Sequence, residues 1–345
     1  MELSEDPKVA VVGAGSWGTA FATITAEKGI ETVLWARRAE LADEIDSRHQ
    51  NSEYLPDFEL PPSLTASHDA GKAVEGADVV VMAVPSHAFR DVFRQVAPLL
   101  GDGVPVVSLT KGIEQDSLRR MTEVMTETAE LGPDRLAVVS GPNLAKEVMR
   151  RMPSASVVAC ADEDTGAALQ RLFMAPFFRV YTNPDVVGCE LSGAMKNVIA
   201  ISAGIADGMG FGDNSRASLI TRGLAEVARL GVKLGADPLT FAGLAGMGDL
   251  VATCISPLSR NRRVGEELGR GRKLVDIVAD TRMVAEGVKT SRAVLALGER
   301  EGIELPLTEH VVKVLYEGVS PRDMVLSLML RSAKPELHGI HGGSS

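Results

Sequence analysis

One charged residue stands inside an otherwise apolar helical pattern. Between Glu190 and Asp207 the charged residue is Lys196 alone, with Ser192 one helical turn before it and Asn197 beside it. A lysine in such surroundings either extends its ammonium to water or is held in a pocket where it can exchange a proton near neutral pH. The second arrangement suits a general acid or base in carbonyl reduction.

A glycine-rich loop predicts a dinucleotide site. Gly13, Gly15 and Gly18 follow an apolar run at residues 8–12 and precede a helical pattern at residues 19–28. In such loops the first glycine allows a tight turn, the second lets the backbone approach a pyrophosphate, and the third lets helix and strand pack closely. A turn without a ligand has the same glycines, but the strand before it and the helix after it favour a nucleotide.

Two arginines follow the second predicted strand. That strand ends at Trp35, where many NAD enzymes carry an acidic residue for the ribose hydroxyls, and the chain continues with Arg37 and Arg38. Two guanidinium groups suit a 2′-phosphate, so the sequence favours NADP over NAD. The alternative is that both are solvated loop charges.

Three further loops follow predicted strands, at the edge where such sheets bind ligands. Lys111 comes directly after one strand and is either a fixed positive charge for a ligand or a surface lysine. Gly141 and Asn143 follow another strand, where backbone amides could contact cofactor or substrate. His87 follows a third, and a lone histidine more often hydrogen-bonds within its loop than acts as a general acid.

A basic segment in the second half predicts an anion site. Residues 259–273 contain six basic and two acidic residues, a local charge of +4 in a chain of net charge −10. Ser259, Arg260 and Asn261 precede a helical pattern, so hydroxyl, guanidinium, amide and helix dipole can converge on one phosphate. A solvated helix face explains residues 270–273 equally well. Just before this segment, Asp249 is the one carboxylate of a glycine-rich stretch.

Two kinds of pattern must position these residues. Short apolar runs alternate with helical patterns up to residue 184, which indicates an α/β Rossmann domain with a mostly parallel sheet covered on both faces. The last two runs leave antiparallel pairing open. The runs lie at residues 8–12, 32–35, 78–84, 104–109, 136–140, 155–160 and 177–181. After Pro184 helical patterns take over, so we expect an all-helical domain at residues 185–337 and a frayed tail at 338–345.

Composition excludes several classes of protein. Hydrophobic residues make up 45% and charged residues 24%, which is typical of a soluble globular chain. The acidic balance and 4% aromatic content disfavour nucleic acid as a partner. Three separated cysteines, an acidic beginning and apolar runs shorter than a membrane span predict a cytoplasmic protein without membrane insertion. No metal site is expected; the histidines of the tail, His338 and His341, are more simply incidental.

Seven motifs in order resemble the prokaryotic form of the NAD(P)-dependent glycerol-3-phosphate dehydrogenase family. Together they span most of the 345 residues. The motifs are GAGSWGTA, VPSHAFR, TKGIE, SGPNLAKEV, ELSGAMKNVIAI, GLAGMGDL and SRNRRVG, which begin at positions 13, 84, 110, 140, 190, 243 and 259. The resemblance implies a Rossmann domain followed by an all-helical domain similar to that of 6-phosphogluconate dehydrogenase.

The resemblance also implies roles for individual residues. Lys196 matches the catalytic lysine. The substrate positions are matched by Lys111, Gly141, Asn143, Lys196, Asp249, Ser259, Arg260 and Asn261. The cofactor positions are matched by Gly13, Gly15, Ser16, Trp17, Gly18, Arg37, Arg38, Lys111, Ala145, Arg260, Val284 and Glu286. Asn143 departs from the family, which usually has serine or threonine there and phenylalanine in place of Leu144.

The implied reaction is reversible reduction of dihydroxyacetone phosphate to sn-glycerol 3-phosphate by NAD(P)H, which supplies phospholipid synthesis. Lys196 would protonate the forming alkoxide, and Lys111 would add positive charge there. Asp249 would orient Lys196 or a substrate hydroxyl, while residues 259–261 hold the phosphate. A homodimer stays open.

Two other functions compete with this one. A β-hydroxyacid or 6-phosphogluconate-type dehydrogenase shares the architecture but typically has an asparagine one turn after the lysine, where this chain has Ala200. A dinucleotide-binding sensor without turnover predicts that the catalytic lysine or the phosphate site is missing, and candidates for both are present.

Overall fold

The chain divides into two compact units. It is described by a computed structural model that covers residues 4–280, 285–333 and 335–336. Within these residues, the sheet unit comprises residues 4–110 and 121–186, and the helical unit comprises residues 111–120 and the described residues from 187 onward. The tail predicted at residues 338–345 lies outside the described residues. The helical unit therefore contains a ten-residue segment, Lys111–Arg120, that no sequence pattern had separated from its neighbours.

An eight-stranded sheet forms the first unit, in the order β3-β2-β1-β4-β5-β6-β7-β8. The strands are β1 (Lys8–Val12), β2 (Glu31–Trp35), β3 (Leu64–Ser67), β4 (Val79–Met82), β5 (Val106–Ser108), β6 (Leu136–Ser140), β7 (Ser154–Cys160) and β8 (Phe178–Asn183). All neighbours pair in parallel except β6 and β7. The predicted Rossmann class is confirmed. The sequence had left the pairing of the last two strands open: β7 is antiparallel to β6, and β8 is parallel to β7.

Burial on both faces explains why the strands read as continuous apolar runs. In β1, Val9 and Val11 belong to one buried cluster, while Ala10 and Val12 belong to a second. Successive side chains of a strand point to opposite faces, so each cluster covers one face of the sheet. Strand β3 was not predicted because its sequence, LTAS, is short and half polar, and only Leu64 is buried.

Among the described residues, seven α-helices belong to the sheet unit and flank these strands. They are α1 (Ser16–Glu27), α2 (Ala39–Arg48), α3 (Ala70–Val74), α4 (Ser86–Val96), α5 (Met121–Ala129), α6 (Ala145–Met149) and α7 (Glu163–Phe173). Asp162 caps α7 through a bond from the Thr165 N–H at 2.8 Å. Short 3-10 turns lie at Ala97–Leu99 and Pro133–Arg135.

The described part of the helical unit contains eight α-helices. They are α8 (Val186–Gly208), α9 (Asp213–Lys233), α10 (Asp249–Ile255), α11 (Arg260–Gly269), α12 (Leu274–Ala279), α13 (Glu286–Glu301), α14 (Pro306–Tyr316) and α15 (Pro321–Met329). A 3-10 turn, Pro238–Ala242, and a π-helical turn, Leu244–Gly248, precede α10. The all-helical expectation is confirmed.

Helix α8 is the centre of this unit. Every residue from Gly188 to Ala206 is buried, including Lys196. By length and mean hydropathy α8 alone among the described helices could cross a membrane, although 89% of its most apolar window is buried inside the protein. In the sequence, this helix did not stand out as long enough to span a membrane, because Lys196 interrupts its apolar run. Burial on all sides is what the core helix of a globular unit shows.

Candidate active site

The glycine loop joins β1 to α1 in a conformation that two of its glycines make possible. Gly13 has φ +123°, and a Cβ there would lie 2.6 Å from the carbonyl oxygen of Ala83. A Cβ on Gly18 would lie 2.0 Å from the carbonyl oxygen of Gly13. Both positions therefore need glycine because of the protein's own packing.

Gly15 needs glycine for a different reason. Its φ of −73° suits any residue, and a Cβ there would meet no protein atom within 4 Å. Neither backbone strain nor contact with the protein requires this glycine, whereas a ligand lying against the loop would. Gly15 also caps the N-terminus of α1, which favours negative charge. The loop thus fits the pyrophosphate of a dinucleotide.

Substituting Gly15 is expected to impair cofactor binding without impairing folding. Gly15→Val should raise the Kd for NADPH by at least about tenfold, because its side chain enters the space a pyrophosphate would occupy. The thermal midpoint should stay near that of the parent. The comparison variant is Gly18→Ala, whose Cβ meets backbone and should cost about 1–3 kcal/mol of stability. Unchanged NADPH affinity in Gly15→Val, by fluorescence titration, would contradict this account of the loop.

The other predicted cofactor residues of the sheet unit lie near strand ends. Ser16 begins α1 and donates its hydroxyl to the carbonyl of Tyr54 at 3.1 Å. The indole Nε1 of Trp17 is buried and has no acceptor among the described residues. Arg37 and Arg38 are exposed after β2, and Arg38 forms an ion pair with Glu53. No sequence pattern had indicated that Arg38 pairs with a carboxylate.

The loop after β6 contains three predicted site residues. Gly141 has φ +141°, and a Cβ there would lie 2.9 Å from the Cα of Ser156. The amide of Asn143 donates to the hydroxyl of Ser156 at 3.3 Å. Ala145 is the first residue of α6. This contact shows that the unusual Asn143 is accommodated in its loop.

Three charged side chains of the helical unit meet in one buried cluster. Asp249 accepts a hydrogen bond from Lys196 Nζ at 2.6 Å on one carboxylate oxygen, and from Lys111 Nζ at 2.7 Å on the other. Lys196 also donates to the Thr253 hydroxyl at 2.8 Å. These residues are only 2–14% exposed. The structure thus brings together three of the residues predicted from the sequence, separated by up to 138 positions in the chain.

Local structure explains how the cluster is positioned. Asp249 is the first residue of α10, directly after the π-helical turn, and Thr253 follows one turn later. The Thr253 hydroxyl donates to the Asp249 carbonyl at 2.6 Å, which fixes its lone pairs for Lys196. Thr253 was missed in the sequence, where its position four residues after Asp249 was the available signal.

Lys111 is held by the segment that begins with it. Ile113 is 1% exposed in the same apolar cluster as residues of α8. Arg120, at the other end of the segment, forms an ion pair of 2.6 Å with Glu190 of α8, whose side chain is 3% exposed. The Asn197 amide donates to the Lys111 carbonyl at 3.3 Å. These contacts attach the segment to the helix that carries Lys196.

Burial and charge set the protonation of the cluster. Burial lowers the pKa of the Lys111 ammonium to about 8. The positive charge of Lys196 also lowers this pKa, whereas the negative charge of Asp249 raises it. Burial alone would raise the pKa of the Asp249 carboxyl, but the two lysine charges outweigh it and hold that pKa below its usual value. Asp249 therefore stays ionised, and Lys111 titrates near physiological pH.

The predicted phosphate residues lie at the beginning of α11. Ser259 is its N-cap and accepts the Arg262 N–H at 3.3 Å, while Arg260 is exposed. Asn261 is buried: its amide nitrogen donates to Asn197 at 2.9 Å, and its oxygen accepts the Gly287 N–H at 2.9 Å. Asn261 therefore connects three helices, a role that its sequence neighbours did not indicate.

Two predicted cofactor residues remain. Glu286 is the first residue of α13 and is half-buried. Val284 lies outside the described residues. Across the part of the chain that the structure describes, no group of three or more histidine, cysteine or acidic side chains is placed to hold a metal ion.

Comparisons with known proteins agree over both units. Residues 8–166 match the family model for the N-terminus of NAD-dependent glycerol-3-phosphate dehydrogenase, and residues 185–326 match the model for its C-terminus. A glycerol-3-phosphate dehydrogenase (NAD(P)+) of Streptomyces coelicolor is 56% identical, with 97% of this chain and 99% of that protein covered. A glycerol-3-phosphate dehydrogenase (NAD(P)+) of Thermobifida fusca is 54% identical, with 96% of this chain and 99% of that protein covered. A crystal structure of glycerol-3-phosphate dehydrogenase from Coxiella burnetii has a TM-score of 0.91 at 38% identity, covering 94% of this chain and 99% of that one.

Proposed function

This chain belongs to the NAD-dependent glycerol-3-phosphate dehydrogenase family, and on that premise we propose that it reversibly reduces dihydroxyacetone phosphate to sn-glycerol 3-phosphate. When bound, NAD(P)H supplies the hydride. The buried arrangement of Lys196, Asp249 and Lys111 is the observation that carries the proposal. It offers a proton donor for the oxygen of the ketone and a second cation that can stabilise the negative charge developing there.

Lys196 is the proton donor in this proposal. An ammonium has three N–H bonds, and two of them are directed to Asp249 and Thr253. Asp249 and Thr253 are the hydrogen-bond acceptors of the Lys196 ammonium among the described residues, so the third N–H is available to the substrate oxygen. Lys196 donates its proton there as the alkoxide forms, and it removes that proton in the reverse direction.

Lys111 stabilises negative charge on the same oxygen. Its ammonium shares Asp249 with Lys196, so both cations lie within one carboxylate's reach. Asp249 keeps the two like charges together, which would otherwise repel each other in a buried place. In this proposal Asp249 is a positioning residue for both lysines.

In this proposal the phosphate of the substrate is held by Ser259, Arg260 and Asn261. The N-terminus of a ten-residue helix favours an anion, and the exposed guanidinium of Arg260 adds a charge-assisted donor. Asn261 contributes through a second amide hydrogen, since its first is directed to Asn197. Gly141 and Asn143 of the sheet unit are further proposed substrate contacts.

The proposed cofactor residues are the three glycines of the loop after β1 and eight other residues. The glycines are Gly13, Gly15 and Gly18; the others are Ser16, Trp17, Arg37, Arg38, Lys111, Ala145, Arg260 and Glu286. We favour NADPH because Arg37 and Arg38 are exposed directly after β2, where a 2′-phosphate is recognised in this fold. A higher kcat/KM with NADH than with NADPH would contradict that preference.

The cellular setting is part of the same proposal. The product, a glycerol phosphate, is a precursor for phospholipid synthesis, and the enzyme acts in the cytoplasm on small molecules rather than on nucleic acid or membrane. The net charge of −10 disfavours large polyanions but permits a small phosphate ester at a local basic site. A homodimer is compatible with the proposal, and sedimentation equilibrium measures the oligomeric state.

The charge on Lys111 predicts a pH dependence. Because the pKa of Lys111 is about 8, its ammonium is lost as the pH rises through that value. We expect kcat/KM for reduction to fall above about pH 8. Lys111→Arg keeps a cation at the position and should remove this fall, even if its turnover is lower. Profiles recorded between about pH 6.5 and 10 test this, and the same descending limb in the arginine variant would assign it to another group.

A substrate panel tests the function as a whole. Oxidation of NADPH and NADH is followed by absorbance with three kinds of substrate. They are dihydroxyacetone phosphate, 3-oxo acids (the oxidised form of β-hydroxyacids), and ribulose 5-phosphate with CO2 (the products of 6-phosphogluconate oxidation). The proposal expects dihydroxyacetone phosphate to be preferred, with sn-glycerol 3-phosphate formed in equal amount. Activity confined to another carbonyl favours the runner-up dehydrogenases, and NADPH binding without turnover of any substrate favours a sensor.

A further inference from the structure

Helices α8 and α11 touch along their backbones. A Cβ on Gly204 of α8 would lie 2.0 Å from the carbonyl oxygen of Arg262. In the other direction, a Cβ on Gly265 of α11 would lie 2.0 Å from the carbonyl oxygen of Ile201. Real Cβ atoms do not approach other heavy atoms this closely. The helices can therefore approach this closely only because each presents glycine to the other.

The same relation repeats one turn further along both helices. A Cβ on Gly208 would lie 2.1 Å from the carbonyl oxygen of Glu266. A Cβ on Gly269 would lie 2.3 Å from the carbonyl oxygen of Ile205. Four glycines, two on each helix at a spacing of four, thus define one register between α8 and α11. We call these four glycines the α8–α11 junction.

A carboxylate secures the junction. Asp207 of α8 has a side chain only 6% exposed, and one of its oxygens accepts the Arg262 Nε–H at 2.9 Å and forms an ion pair with the second guanidinium nitrogen at 2.7 Å. Its other oxygen accepts two bonds from Arg216, at 3.0 and 2.7 Å. Each guanidinium thus directs two nitrogens to one oxygen of Asp207, a directional arrangement that resists sliding of α11 along α8.

The two helices carry opposite ends of the proposed site. Lys196 lies eight residues before Gly204 on α8, about 12 Å along the axis, and Arg260 lies five residues before Gly265 on α11, about 8 Å. The bond from Asn261 to Asn197 joins the helices near those ends. The distance between the proton donor and the proposed phosphate group is therefore set by how α8 and α11 pack.

We propose that the α8–α11 junction aligns the substrate, and that Asp207 is a positioning residue that acts through Arg262. This inference rests on the proposed function. A substrate held by its phosphate at α11 meets the proton donor on α8 only in the register that the glycines allow. A shift of about 1 Å in that register leaves the phosphate bound but misplaces the ketone, which can lower turnover by about a hundredfold.

The test separates alignment from binding. Gly265→Ala forces α11 away from α8, and Asp207→Asn removes the charge that holds Arg262. We expect kcat for dihydroxyacetone phosphate to fall about tenfold or more in each, while the Ki of inorganic phosphate as a competitive inhibitor stays within about twofold of the parent. Loss of folded protein would also lower the apparent kcat and leave Ki unchanged. Turnover is therefore expressed per NADPH-binding site, counted by fluorescence titration, so that a smaller active fraction does not lower kcat.

Asp213→Asn is the matched control. Asp213 pairs with the same Arg216 at 2.8 Å but is 95% exposed and does not contact Arg262. It should leave both constants unchanged. Circular dichroism checks folding, and Asp207→Asn carries the test if the alanine variant does not fold.

Two results would overturn the inference. One is a kcat within about twofold of the parent in Asp207→Asn, and the other is a Ki that rises in parallel with the loss of kcat. An inactive parent enzyme would instead contradict the proposed function and not the junction.

Discussion

Replacing Lys196 by alanine is expected to lower the turnover of dihydroxyacetone phosphate by about a thousandfold, within the range that positioned general acids contribute. The reason is that Lys196 holds the one N–H proposed to reach the substrate oxygen. The Kd for NADPH should stay within about twofold, because the glycine loop is unaltered. Steady-state kinetics and fluorescence titration measure the two quantities.

Lys233→Ala is the control for the Lys196 substitution. Lys233 ends α9 and is exposed, so its loss should change neither constant. Turnover near that of the parent in Lys196→Ala would remove this lysine from the mechanism. A large loss of NADPH affinity would mean that the substitution acts on cofactor binding instead.

Asp249→Asn is expected to have the largest combined effect on activity and stability. The variant leaves two lysines buried beside an uncharged group, and breaking a buried ion pair in this way costs about 3–5 kcal/mol of unfolding free energy. Turnover should fall at least about a hundredfold, because neither lysine keeps its position. Urea denaturation and steady-state kinetics measure both effects.

The stability deficit of Asp249→Asn should shrink as the pH rises. Without Asp249 the pKa of Lys111 falls further below its value of about 8 in the parent, whereas in the unfolded chain it returns to about 10.4. Between the lowered pKa of the variant and about 8, the folded variant has lost a proton that the folded parent keeps. In that range the unfolding free energy rises more steeply with pH in the variant, and the deficit shrinks. Asp276→Asn on exposed α12 is the control and should stay within about 0.5 kcal/mol of the parent at every pH. A deficit that does not depend on pH would contradict the electrostatic explanation.

The fold was largely predictable because its signals are local. Valine-rich runs mark the buried strands, and the glycines at positions 13, 15 and 18 mark the turn after β1. Strand β3 was missed because its sequence, LTAS, is too short and too polar to stand out. The segment Lys111–Arg120 joins the helical unit through Ile113 and Arg120, contacts that depend on distant partners.

The site was predictable in its members but not in its contacts. Lys196, Lys111 and Asp249 were each noticeable by residue type and position. That one carboxylate joins both lysines depends on partners 53 and 138 positions apart, which no local pattern encodes. For Asn261, the basic neighbours in the sequence indicated phosphate binding alone. In the structure its side chain also forms hydrogen bonds with Asn197 and Gly287, which the sequence did not indicate.

Chemical rescue of Lys196→Ala tests the central claim most directly. The truncated side chain leaves Asp249 and Thr253 without their shared ammonium, a place that an ammonium ion or methylamine can fill. Added amine should restore turnover of dihydroxyacetone phosphate at least about tenfold, saturably, while leaving the parent and Lys233→Ala unchanged. If turnover of the variant does not respond to any amine, or is already near that of the parent without one, Lys196 is not the proton donor.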